Sequence, residues 1–390
     1  MQLYFDNAAT SFPKPSTMHE AMMEYCTAVG ASPGRGSYQK ADEASKILDS
    51  CRQSLCKLVN APSEDHCIFT LNCTDAINLA ILGIVNFSLK NNEPVHVVTT
   101  AMDHNSVLRP LNELCAKGVT HTIVNADPAT GIVEPSAIAN AINQDTKLVA
   151  IAHGSNVTGS VQDLESIGSL CGSVPILLDA AQTMGHHHID VQSMNIALLA
   201  FPGHKGLLGP LGTGGLIVRP GIEEYMLPIR TGGTGSASEL PIQPSTMPDK
   251  FEAGSHNMVG IAGLNASVDW ILERGVDKLY NHEQILCKAF LSEMKKCSHA
   301  KIIGPKAASQ RCGVFSIVFE ENPYIVAKAL EECSGIQSRA GLHCAPFAHK
   351  TIGTDTLGGT VRISFGPFHR MDDIKTLTKA IANLNTKASI

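Results

Sequence analysis

Asp179 closes the apolar run Ile176-Leu-Leu-Asp179, and Lys205 lies in Phe201-Pro-Gly-His-Lys-Gly206, a glycine-bounded turn after the next apolar run. A lone lysine or aspartate carries no information, but their order does. A carboxylate at the end of one buried strand and a His-Lys pair after the next reach the same edge of a parallel sheet, with Gln182 between them. An amine there can bond an aldehyde, a carboxylate can keep a pyridine nitrogen protonated, and nearby donors can hold a phosphate. Pyridoxal 5'-phosphate needs all three.

Asn72-Cys-Thr-Asp75 follows an apolar run and opens a helix-like segment, so backbone N–H groups and the Thr74 hydroxyl point at one spot, suited to an anion. The same residues also read as a helix cap and nothing more. His104, in Met102-Asp-His-Asn-Ser106 at another helix start, has a ring that can stack on a flat cofactor and move protons; taken alone it is an ordinary loop histidine. Asn156, in His153-Gly-Ser-Asn-Val-Thr-Gly159, offers amide donors to a ring hydroxyl or a carboxylate, or else fills a turn. Nucleotide chemistry lacks its fingerprints, since neither G-x-x-x-x-G-K-[ST] nor a G-x-G-x-x-G between strand and helix occurs.

Cys344 lies in the loop Arg339-Ala-Gly-Leu-His-Cys-Ala-Pro346, where His343 and Arg339 are placed to favour a thiolate. Arg362 follows in Gly359-Thr-Val-Arg-Ile-Ser-Phe365, among apolar neighbours. A buried guanidinium there needs an anion, either a substrate carboxylate or a structural partner. His186-His-His188 invites a metal reading, but consecutive side chains on an extended segment alternate faces, so no metal site is expected.

These residues need a scaffold, and the apolar pattern supplies one. Strand-like runs at 67–71, 95–99, 119–124, 148–152, 176–178, 196–200 and 214–218 alternate with helix-like segments at 75–87 and 106–117. That alternation implies an α/β fold with a mostly parallel sheet, covered on both faces, whose ligands sit beyond the strands' carboxyl ends. Residues 230–255, rich in Gly, Pro, Ser and Thr, read as a long loop. Helices at 259–273, 282–296 and 324–333, with strands at 313–319 and 360–365, then suggest a small α+β domain.

The chain has 390 residues, 44% hydrophobic and 17% charged, enough for a large core in two domains. A formal charge of −6 gives no reason to expect nucleic acid or an anionic membrane as partner. Twelve cysteines without a C-x-x-C motif read as reduced thiols. With no signal-like start and no uninterrupted apolar run of membrane length, the expected location is cytoplasmic.

Taken in order, the motifs resemble the fold-type-I pyridoxal phosphate enzymes of aminotransferase class V, specifically the cysteine desulfurase and selenocysteine lyase group. The resemblance covers nearly the whole chain. It rests on Tyr4-Phe-Asp-Asn-Ala-Ala-Thr10, Thr74-Asp-Ala-Ile-Asn78, Asp103-His-Asn105, Ser155-Asn-Val-Thr-Gly159 and Asp179-Ala-Ala-Gln182. Gly203-His-Lys205, Phe251-Glu-Ala-Gly254, Arg339-Ala-Gly-Leu-His-Cys344 and Val361-Arg-Ile-Ser364 complete it. It implies a seven-stranded, mostly parallel sheet in a large domain (16–256), with a small α+β domain built from 1–15 and 257–390.

The resemblance also implies roles. Lys205 would bond the cofactor aldehyde, Asp179 face its ring nitrogen, Gln182 donate to its hydroxyl, and His104 stack on it and act as acid and base. Thr74 and His204 would hold the phosphate, with Cys73 beside them and Ser255 contributed by the second subunit of a homodimer. Asn156 and Arg362 would grip the carboxylate of L-cysteine or L-selenocysteine, and Cys344 would attack its sulfur, passing it on to an acceptor protein. Pro202 stands where many desulfurases carry a hydroxyl residue, which removes a phosphate donor, and the short spacing from Cys344 to Arg362 resembles the branch with a short catalytic loop. The rival readings are a transaminase, an epimerase, or a C–S lyase without a persulfide. A non-catalytic sulfur carrier or scaffold is the remaining one.

Overall fold

The computed structural model of the protein describes residues 2–34, 36–236 and 238–384. It opens with β1 (Leu3–Tyr4), α1 (Ser16–Glu24) and α2 (Gln39–Val59). Alternation begins with β2 (Cys67–Thr70), α3 (Cys73–Lys90), β3 (His96–Thr100), α4 (Asn105–Leu114) and β4 (Thr120–Val124). It runs on through α5 (Pro135–Ala141), β5 (Thr146–Ala152), α6 (Leu164–Leu170), β6 (Ile176–Asp179), β7 (Leu198–Pro202) and β8 (Gly214–Val218). Strands β2 to β8 form one seven-stranded sheet in the order β2-β8-β7-β6-β5-β3-β4. All pairs are parallel except those of β8, which is antiparallel to both neighbours.

Burial on both faces explains why these strands are continuous apolar runs. In β5, Leu148 and Ala150 share a core with α3 and α4, while Val149 and Ile151 share the opposite one with α2. Helix α3 starts two residues before the apolar pattern does, because the Asn72 side chain accepts the Asp75 N–H and caps it. By length and composition α3 is apolar enough to cross a membrane, yet it lies along the sheet with half its length buried in the core. Strand β7 runs two residues further than expected, so Pro202 ends its ladder, a position where a missing N–H is tolerated.

The expected loop at 230–255 contains no helix or strand among its described residues. Beyond it come α7 (Met258–Arg274) and α8 (Val276–Met294), split by Gly275 at φ 84°. Helix α8 therefore starts earlier than the expected 282: polar residues at 277 and 278 hide its first turn from a reading based on apolar period. The rest is β9 (Lys301–Ile303), β10 (Val314–Val318), α9 (Pro323–Ser334), β11 (Ile336–Gln337) and β12 (Arg339–Gly341). Then come α10 (Pro346–Thr351), β13 (Thr360–Ser364) and α11 (Met371–Ala382). Strands β12-β13-β10-β9 form an antiparallel sheet over a separate core that holds Phe290, Phe315 and Phe365.

Phe5 lies in that second core, and β1 pairs in parallel with β11, so the first residues pack with the last third of the chain. The boundary expected at 256/257 falls just before α7. Met258, Ile261, Leu264, Val268 and Ile271 of α7 belong to the core beneath the large sheet, against which Val276 and Leu279 of α8 also pack.

Candidate functional site

The carboxyl ends of β5, β6 and β7 and the N-termini of α3 and α4 surround a cavity of about 120 Å3. Lys205, Asp179, Gln182, His104, Thr74, Cys73, His204 and Asn156 all line it. Eight of the candidate residues, drawn from five separate segments, thus meet at one place. The turn carrying Lys205 requires glycine, since a Cβ at Gly206 would collide with the Met184 carbonyl oxygen and one at Gly203 with the Thr213 hydroxyl.

Asp179 Oδ1 accepts the Ala181 N–H at 2.9 Å and the Cys73 thiol at 3.5 Å. Burial and the Asp179 carboxylate hold the Cys73 thiol well above its usual pKa, so it stays protonated and donates. Burial lowers the pKa of Lys205, and Asp179 partly opposes this. His104 Nδ1 accepts the Ser106 N–H at 3.1 Å, with Ser106 Oγ at 2.9 Å, which puts the proton of the neutral ring on Nε2. Burial lowers the His104 pKa and keeps that ring neutral.

The residue before His104 is its anchor. Asp103 is fully buried, accepts the Thr100 and Ala152 N–H groups at 2.6 Å each, and so ties the ends of β3 and β5 together. Burial pushes its pKa up to about 6 despite those donors. His204 is driven down to about 4 by burial and by Lys205, and its Nδ1 is a buried nitrogen without a hydrogen-bond partner. Gln182 Nε2 donates to the Ala8 carbonyl at 3.2 Å, which orients its amide at the cavity wall.

Cys344 is exposed on the short loop between β12 and α10. His343 and Cys344 adopt φ of 49° and 57°, the left-handed region, at about 1–2 kcal/mol per non-glycine residue. Two bonds hold this strain: Asn156 Nδ2 donates to the His343 carbonyl at 2.7 Å, and the Asn105 N–H to the Cys344 carbonyl at 2.9 Å. Both donors flank the lysine cavity, so the thiol loop is fastened to its rim. Asn156 thus spends one amide donor on the loop, a use the sequence did not suggest.

Arg362 is 3% exposed. Its Nη2 meets Asp6 Oδ1 at 2.8 Å, its Nη1 donates to the Asn156 carbonyl at 3.2 Å, and its buried Nε has no partner. Arg339 Nε reaches the other Asp6 oxygen at 3.0 Å. Two guanidiniums share one carboxylate, leaving one net positive charge and an unpaired donor for a second carboxylate.

Two sequence expectations change. His343 is not a cation beside the thiol: burial and Arg362 drive its pKa down to about 2, and its Nε2 lies 3.2 Å from Thr360 Oγ1. Ser255, expected to serve a partner subunit's site rather than this one, lines a separate cleft with Thr70, Arg230 and Asn257. The alternating-face argument against His186-His-His188 fails because the segment is a turn, and His186 and His187 both reach Glu283.

Three contributors were missed. Asp6 was quoted only as part of a motif, and no spacing rule links it to an arginine 356 residues away. Ser106 had a legible signal, a hydroxyl two residues after a histidine at a helix start. Lys14 Nζ donates to the His204 carbonyl and to Ser11 Oγ at 2.8 Å each, and burial lowers its pKa to about 8.

The residues present fit pyridoxal phosphate. A buried amine, a carboxylate, a neutral imidazole and the N-terminus of the 18-residue α3 line one cavity, where His204 Nδ1 still lacks an acceptor.

A protein-family model described as aminotransferase class-V matches residues 3–377. A probable cysteine desulfurase of Methanothermobacter thermautotrophicus is 33% identical over 387 residues, which cover 98% of this chain and 94% of that protein. A probable cysteine desulfurase of Pyrococcus abyssi is 32% identical over 390 residues, covering 98% and 94%. The apo structure of a cysteine desulfurase from Thermococcus onnurineus superposes with a TM-score of 0.90 at 29% identity, covering 98% of this chain and 94% of that one.

Proposed function

We propose that this chain, which belongs to the class-V aminotransferase family, is a pyridoxal-phosphate-dependent cysteine desulfurase that converts L-cysteine to L-alanine and keeps the sulfur on Cys344 as a persulfide. The observation that carries this reading is the Cys344 loop: an exposed thiol on a strained backbone, bonded through Asn105 and Asn156 to the rim of the Lys205 cavity. A transaminase or epimerase has no use for a thiol there.

Pyridoxal phosphate, when bound, supplies an electron sink for the pair released at the substrate Cα. Lys205, its amine pushed toward the neutral form by burial, would hold the cofactor aldehyde and is the base placed to take the substrate Cα proton. Asp179 is the anion for the ring nitrogen, Cys73 holds that carboxylate in place, and neutral His104 offers a ring face and an Nε2 proton. Thr74, His204 and the α3 N-terminus are the phosphate donors. Arg362 takes the substrate carboxylate on its free Nε–H. The Cys344 thiolate then attacks the substrate sulfur: an S–S bond forms as the Cβ–S bond breaks, the bonding pair stays on carbon, and carbon is protonated. No external oxidant or reductant is required.

Cys344→Ser tests this. Assayed with a thiol reductant that releases the persulfide sulfur as sulfide, the variant is expected to keep the cofactor's visible absorbance and to lose alanine and sulfide production from L-cysteine. An undiminished rate would favour a C–S lyase, and a wild-type protein that takes up no cofactor would favour a non-catalytic carrier.

The finer reading is a homodimer in which Ser255 reaches the partner's cofactor site, supported by its place in a cleft away from Lys205 and by exposed Phe12, Leu71 and Leu211. Sedimentation of wild type, with cofactor affinity of Ser255→Ala, tests it. L-selenocysteine as an alternative substrate, and a protein acceptor for the Cys344 sulfur, belong to the same proposal; comparing alanine formation from the two amino acids checks the first.

A further inference from the structure

His186 and His187 lie in the turn after Gln182, and Glu283 lies on α8, across the boundary between the two domains. His186 Nδ1 is 3.2 Å from Glu283 Oε1 and His187 Nε2 is 3.0 Å from Oε2. One ligand atom from each residue lies within 4.8 Å of the other two. Zinc–ligand bonds of about 2.0–2.2 Å in a tetrahedral arrangement place neighbouring ligand atoms about 3.3 Å apart, so each His–Glu distance already matches and the remaining separations, within 4.8 Å, close by about 1.5 Å at most. We propose that His186, His187 and Glu283 bind one divalent transition-metal ion of the zinc class, joining the cofactor-binding turn of the large domain to α8.

Hydrogen bonding alone leaves part of this arrangement unexplained. His187 Nε2 has a proper hydrogen bond to Glu283, but His186 Nδ1, although close, is a buried nitrogen with no aligned partner. The site borders a cavity of about 50 Å3 lined by His186, Glu283, His282 and Lys205, which has room for a water as fourth ligand. Two imidazoles and a carboxylate with an open position are a borderline donor set that suits zinc and its neighbours rather than calcium or magnesium. His187 is also braced edge-on by Tyr280 at 5.0 Å and by His153 at 6.1 Å, which fixes its ring orientation. The His186 ring in turn abuts Gly206, next to Lys205, so an ion here stiffens the turn that carries the catalytic amine.

The test uses holoenzyme whose exposed thiols, Cys344 among them, have been alkylated, so that sulfur does not compete. Titration with Co2+, then displacement by Zn2+, is expected to reveal one equivalent with ligand-field bands and no thiolate charge transfer. Affinity is expected to fall more than about tenfold in Glu283→Gln and in His186→Gln. Equal stoichiometry and spectra in wild type and both variants overturn the proposal. So does wild type that binds no cobalt. Should the variants fail to fold, anomalous scattering from zinc-soaked wild-type crystals decides: a peak among the three residues supports the site, and its absence there refutes it.

Discussion

Asp6→Asn separates two effects that the arrangement around Arg362 combines. Asp6 Oδ1 meets the buried Arg362 at 2.8 Å and Oδ2 meets the half-exposed Arg339 at 3.0 Å. An amide keeps one acceptor and removes the charge. A hydrogen bond to a charged group contributes about 1.5–3 kcal/mol and a neutral one about 0.5–1.5. The exposed Arg339 pair adds little, so the unfolding free energy should fall by about 1–2 kcal/mol. The effect on the substrate has the opposite sign. Arg362, without its resident anion, has more to gain from the carboxylate of L-cysteine, and about 1–1.5 kcal/mol corresponds to a KM lower by roughly 5- to 10-fold. Urea denaturation of the substrate-free holoenzyme and steady-state kinetics on L-cysteine measure both. Unchanged stability together with a higher KM would refute the reasoning, because Asp6 would then be aligning Arg362 rather than balancing its charge.

Pro202→Ser restores a hydroxyl and an N–H at the phosphate end of the cavity, and cofactor titration should give a Kd lower by about tenfold; an unchanged Kd would place the phosphate away from residue 202. Glu252→Gln breaks the buried pair with Arg52 (Nη2 to Oε2 2.6 Å), whose carboxylate also accepts the Phe69 N–H, and chemical denaturation should register a loss of about 3–5 kcal/mol. His153 is buried, and burial with His187 and His186 nearby lowers its pKa to about 3. Between that value and the unfolded value of about 6.5, only the unfolded chain binds this proton, so the His153 contribution to stability is lost as pH falls through the window. The stability difference between pH 7 and pH 5 should therefore be about 2 kcal/mol smaller in His153→Gln than in wild type, at about 1.4 kcal/mol per pH unit. Equal differences would mean that the ring is protonated in the folded protein.

The large sheet was legible because its strands are buried on both faces: 148–152 and 214–218 have almost no polar residue to blur their ends, and each marks a strand found in the structure. The cavity was legible for the same reason, since parallel strands deliver Asp179, Lys205 and Asn156 to one edge whatever the loops do. Where tertiary contacts decide, the sequence reading failed. His186 and His187 converge on Glu283 only because a turn replaces the extended segment that the alternation argument assumed. Asp6 and Arg362 are neighbours because β1 joins the second domain's strands, a pairing between opposite ends of the chain that no local pattern records.

The protonation pattern gives these placements a common logic. Burial pushes Lys205, His104, His204 and His343 toward their neutral forms, while Arg362 keeps Asp6 as its resident counter-ion. Without its ligands, the site thus holds few uncompensated charges and a set of donors with nothing to meet, His204 Nδ1 at one end and Arg362 Nε at the other. In the proposed reaction those donors would meet a phosphate and an α-carboxylate, and between them stands an amine with a lowered pKa. On the proposed reading, an amino acid bound across that span would have its carboxylate held at the small domain, which also carries the Cys344 loop. Substrate recognition and delivery of the thiol then depend on the same body. A change in how the two domains meet, at Asn156 and His343 or at His186 and Glu283, should therefore alter sulfur transfer more than cofactor binding.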